Sequence, residues 1–179
     1  IGFEKLGLNL IYLEVFSDNI PALKTYLKAG FIEKNRYKKE NKEIIHIQHL
    51  STDERGILFS NEDRKFLKGF EPLSDEIVFQ KHVNSAFIGT NLENYLRDNS
   101  IDKLIIVGMT LPHCVSTTVR MASNLGFKVI LIEDATITFE IADYFSDKLL
   151  SADEIHKYHI STLNEEFCDT LSTKNFLNL

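Results

Sequence analysis

The chain has 179 residues, 44% of them hydrophobic, enough to bury the core of one domain. A net charge of −6 argues against a general nucleic-acid binder. Two cysteines make no disulfide framework, and no signal peptide or apolar run of membrane-spanning length is present. A reducing, cytoplasmic setting without membrane or nucleic-acid partners is therefore expected. The first residue is Ile rather than Met, which reads as a chain beginning partway through a longer product.

In chain order, "LNLIYLEVF" (8–16) is the first strand candidate. "IPALKTYLKAG" follows as a helix, with Pro21 near its start and Gly30 near its end. The basic cluster "KNRYKKENK" is interleaved with Glu33, Glu40 and Glu43 and reads as a solvated face. "EIIHIQHL" (43–50) is the next strand. His46 and His49 within it lie three apart, so they face opposite sides of a strand and read as polar strand-end residues, not a metal pair. Residues 51–75 form a long surface connection of the kind that shapes binding sites, with Phe59 a candidate pocket residue.

"EIVFQK" (76–81) is a further strand, and "IGTNLENYLRDNS" (88–100) a helix with Thr90 as its cap. "KLIIVGM" (103–109) is nearly unbroken in apolar character, as suits a central strand buried on both faces. The helix after it places Val115, Val119, Ala122 and Leu125 on one side and stops at Gly126. "KVILIED" (128–134) is another strand, "SADEIHKYHISTLNEEF" (151–167) an amphipathic helix, and "DTLSTKNFL" a closing strand and turn. Such alternation predicts a parallel sheet with helices on both faces.

In a parallel sheet, ligands bind at the carboxyl ends of the strands. Cys114 falls at that end of strand 103–109, where free N–H groups and the helix dipole favour a thiolate and can hold an oxyanion. Lys81 ends its own strand on the same rim, and its charge acts in the same direction. The alternative is a small buried hydrophobe at a strand–helix corner. Cys168 reads as buried and inert, and His156 and His159 as facing solvent or a subunit contact.

"KHVNSAFIGTNLENYLR", "KLIIVGMTLPHCVSTTVRMASNLGFKVILIEDA" and "SADEIHKYHISTLNEEF" resemble the isochorismatase-like cysteine hydrolases, over about 42–179. The resemblance implies a three-layer α/β/α fold with a mainly parallel, Rossmann-like sheet, in one domain over 1–179. It also implies an Asp–Lys–Cys triad that cleaves a C–N bond in amidase members. Cys114 maps to the nucleophile and Lys81 to the triad lysine. The family's non-proline cis peptide maps to Met109–Thr110, which orients the Thr110 and Cys114 amides toward an oxyanion. Phe87, in the family-like "SAF", is a candidate pocket or core residue. Leu111 and Pro112 depart from common family forms, which bears on pocket shape. The resemblance implies a small-molecule substrate, a homo-oligomer, no metal and no organic cofactor. Members that cleave a vinyl ether need no covalent cysteine.

The family's aspartate segment is missing. "FEKLGLNLIYLEVFSDNIPALKTYLKAGFIEKNRYKK" (3–39) instead resembles the C-terminal part of GNAT-type N-acetyltransferases, with Asn19 near coenzyme A and Tyr26 at a general-acid position. The upstream pyrophosphate-binding turn of that family precedes the chain's first residue, so acetyl transfer is not expected. On this reading residues 1–41 replace the usual first strand and helix. Glu14 then falls at the position of the missing aspartate, with Asp18 as the second candidate. The rival readings are a catalytically weak or inactive chimera serving as a binding or assembly module, and a residual coenzyme A binder.

Overall fold

The computed structural model describes residues 10–13, 43–52, 54, 65–66 and 71–178. Strand β4 (Lys103–Met109) is its spine, and six of its seven residues are buried. Leu104 and Ile106 join one apolar cluster, with Ile45, Ile47, Leu96, Val119 and Leu131. Ile105 and Val107 join a second cluster, with Ile132, Ala135 and Phe176. Because side chains alternate along a strand, two clusters served by alternate residues mean that both sheet faces are covered.

The other described strands are β1 (Leu10–Leu13), β2 (Glu43–His49), β3 (Ile77–Lys81), β5 (Lys128–Ile137), β6 (Ile141–Ala142), β7 (Leu149–Leu150) and β8 (Asp169–Leu171). The helices are α1 (Leu92–Asp98), α2 (Ser116–Asn124), α3 (Ala152–Leu163) and α4 (Thr173–Leu177). The main sheet runs β3-β2-β1-β4-β5-β8, and every neighbouring pair in it is parallel. β6 and β7 form a separate antiparallel hairpin. The expected three-layer α/β/α fold is the one observed.

β1 lies between β2 and β4, so the segment likened to an acetyltransferase supplies a central strand of the sheet. That position creates the switch point of the sheet. From β1 the chain order runs one way to β2 and β3 and the other way to β4 and β5, the place at whose carboxyl ends open α/β sheets bind ligands. The β4–β5 register shifts between Ile106 and Gly108, where β5 carries the extra residues between Leu131 and Thr136. Gly108 there has φ +127°, a conformation that favours a residue without Cβ.

Of the expected helix ends, the stop at Gly126 is observed. By contrast, α1 has Asn91 rather than Thr90 at its N-cap position, and α3 ends at Leu163 rather than at 167. Pro21 and Gly30 lie outside the described residues. α3 starts in a capping box, in which Ser151 Oγ accepts from the Glu154 amide and the Glu154 carboxylate accepts from the Ser151 amide. Gly126, with φ +87°, follows α2 and turns the chain into β5. The closing segment differs from expectation. After β8 it forms the short helix α4, because Ser172 Oγ accepts from the Asn175 amide and Asp134 accepts from both the amide and hydroxyl of Thr173.

Candidate functional site

Between β4 and α2 the chain passes through a cis Met109–Thr110 peptide and one π-helical turn, Leu111–Val115. The Val115 amide donates to the Thr110 carbonyl across five residues, so this turn carries one residue more than an α-helical turn. Pro112 is tolerated because first-turn N–H groups lack intrahelical acceptors. Cys114 lies in this turn, two residues before α2, with 5% of its surface exposed.

Lys81 is fully buried, at 0% exposure, at the end of β3. Its ammonium donates to the Asn84 carbonyl at 2.8 Å. The Ala86 amide donates to Thr118 Oγ1 on α2, so the loop after β3 is held at both ends. That loop places Asn84 Oδ1 3.8 Å from Cys114 Sγ. Lys81 and Cys114 thus share Asn84, as the common-rim reading of the two strands requires.

His49 was not anticipated at the site. It ends β2 directly opposite Lys81 in register, and its Nδ1 lies 3.5 Å from Cys114 Sγ. Burial foremost, then the Lys81 charge and then His82, hold its ring below the ordinary value of 6.5; a hydrogen bond to the His82 backbone opposes them. His46, three residues back, faces elsewhere. It is buried, its Nε2–H bonds Glu76 Oε2 at 2.9 Å, and its ring meets the edge of Phe66. The opposed orientations expected of the two histidines are observed. Among the described residues, no three His, Cys, Asp or Glu side chains form a metal-binding group.

Met109 is buried beneath the turn, and Thr110 is extended at its start, with its carbonyl engaged by the His113 and Val115 amides. Phe87, 8% exposed, belongs to the core and stacks on Phe127 at 5.8 Å. The candidates Glu14, Asp18, Asn19, Tyr26 and Phe59 lie outside the described residues. Cys168 is buried beyond α3, and burial raises its thiol above the ordinary range. His156 is half-buried rather than solvent-facing, bonded through Nε2 to the Glu133 carbonyl and Thr136 Oγ1.

A buried cysteine, a buried lysine and a half-buried histidine converge at the switch point of a three-layer α/β/α sheet. The isochorismatase domain model matches residues 23–175, and the chain belongs to the isochorismatase family. The isochorismatase family protein YrdC of Bacillus subtilis is 42% identical over 136 residues, 75% of this chain and 72% of YrdC. N-carbamoylsarcosine amidase of Arthrobacter sp is 47% identical over 60 residues, 34% of this chain and 23% of the amidase. An isochorismatase-family structure from Chromobacterium violaceum superposes with a TM-score of 0.81 at 31% identity, covering 96% of this chain and 92% of that one. The family match begins upstream of residue 42, so the isochorismatase likeness extends into the segment likened to an acetyltransferase.

Proposed function

We propose that this chain hydrolyses a small-molecule amide or related C–N bond through a thioester on Cys114. The observation that carries the reading is the meeting of Cys114 with Lys81 through Asn84 at the carboxyl ends of the strands. Amide hydrolysis in the named activity of the Arthrobacter relative supports the bond type. Cys114 Sγ attacks the carbonyl carbon, and the Thr110 and Cys114 amides receive the oxyanion. Lys81 places a fixed positive charge beside the sulfur, favouring its anionic form. Glu14, which follows β1 in the sequence, takes the place of the family aspartate. No organic cofactor enters these steps.

The test is ammonia or amine release from a panel of small carboxamides and carbamoyl amines, with intact-protein mass recorded during turnover. The expected result is an acyl adduct on Cys114 and loss of release in Cys114→Ser. Undiminished release in Cys114→Ser would overturn the proposal. Self-association is part of the same reading, and the β6–β7 hairpin, with Tyr144, Phe145 and Leu149 exposed, is the surface that supports it.

A further inference from the structure

We propose that His49 is a catalytic residue of this site, whose Nδ1 takes the Cys114 thiol proton as the sulfur attacks and passes it to the departing nitrogen. The inference rests on the thioester reading and adds the proton path to it. Three observations converge on His49. Its Nδ1 is within hydrogen-bonding reach of Sγ, at 3.5 Å. Its place at the end of β2, in register with Lys81, fixes the ring on the rim where substrate must sit. The His82 backbone favours the ring's protonated form, and, with Nδ1 turned to the sulfur, we assign the neutral ring's N–H to Nε2. That tautomer leaves the Nδ1 lone pair facing the thiol.

The proton and electron balance closes around Nδ1. As the S–C bond forms, the S–H electron pair supplies it and the proton moves to Nδ1. When the C–N bond breaks, its pair stays on nitrogen, which takes the same proton and leaves as ammonia or an amine. Water then attacks the thioester carbon and gives a proton to Nδ1. The S–C pair returns to sulfur, which recovers that proton, and a carboxylic acid departs.

The charges around the ring suit this exchange. Among the described residues, Lys81 and His82 face it from β3 and the loop beyond, and Cys114 faces it from the π-helical turn. Burial and the Lys81 charge keep the resting imidazole unprotonated at neutral pH, so it is ready to accept. Once protonated beside Lys81, it is a strong enough acid to release the proton to the leaving group.

The test is the rate of Cys114 alkylation by iodoacetamide from pH 5 to pH 9, read by peptide mass, in the unsubstituted chain, His49→Gln and Glu14→Gln. Glutamine can bond the sulfur but cannot carry its proton. Expected in the unsubstituted chain is reaction faster than that of glutathione, with an acid limb inflecting below 6.5. In His49→Gln the limb disappears and the rate at pH 7 falls by roughly 10²-fold, the lower range of general-base assistance. Glu14→Gln is expected to keep the limb. A His49→Gln chain with the unsubstituted rate and limb would overturn the His49 assignment and leave the thioester reading standing. So would a limb in the unsubstituted chain near ~4, the carboxylate range, and this check needs no variant to fold. A Cys114 no more reactive than glutathione at every pH would overturn both.

Discussion

Lys81→Met isolates the charge beside the nucleophile while preserving side-chain length. The Lys81 ammonium is anchored on the Asn84 carbonyl at 2.8 Å, and Asn84 Oδ1 lies 3.8 Å from Cys114 Sγ. One residue therefore bridges cation and sulfur, and a unit charge held ~4–8 Å from a thiolate contributes ~2–4 kcal/mol at an effective dielectric near 20. That corresponds to a loss of about 30- to 10³-fold in the reactive thiolate when the charge is removed. The assay is the second-order rate of Cys114 alkylation by iodoacetamide at pH 7, well below the denaturation midpoint, so that altered stability does not enter. The reagent is neutral, which removes charge steering as a cause. A folded Lys81→Met chain alkylated as fast as the parent would refute the reasoning, because a fully buried cation at this distance must influence the sulfur.

Further outcomes concern the frame that holds the site. Ser151→Ala removes one arm of the α3 capping box, and urea midpoints are expected to show a loss of ~0.5–2 kcal/mol with activity retained. Leu131→Ala opens a cavity in β5 at a fully buried position and is expected to lower stability by ~2–5 kcal/mol in the same measurement. His49 and His159 are both held below 6.5, primarily by burial. The unfolded chain therefore takes up protons that the folded chain refuses. Their contribution to stability is full above 6.5 and is lost as pH falls below it. Urea midpoints between pH 7.5 and pH 5 are expected to decline, less steeply in His159→Gln.

Much of this architecture is legible because central parallel strands are written as apolar runs. "KLIIVGM" coincides with β4, and "EIIHIQHL" contains β2, since burial on both faces leaves little choice of residue. Cys114 and Lys81 were located for the same reason, each lying at or just beyond the carboxyl end of a readable strand. His49 was not, because its role depends on register. Only the pairing of β2 with β3 shows that it stands opposite Lys81. The available signal was that two parallel strands, ending in His and Lys, must present both side chains at one rim. α4 was hidden by a tertiary partner, Asp134, which lies 39 residues away from Thr173. His156 reads as a surface residue on its helix until Glu133 and Thr136 are placed against it.

Cys168 supplies an internal standard for the central claim, that Cys114 is an activated nucleophile. Both thiols are buried and neither forms a disulfide. Burial raises the Cys168 thiol, whereas Cys114 has Lys81, His49 and a helix start around it. Limiting iodoacetamide at pH 7, followed by peptide mass mapping, compares the two within one molecule. The account predicts an adduct on Cys114 while Cys168 stays unlabelled; equal labelling of the two, or none on either, would contradict it.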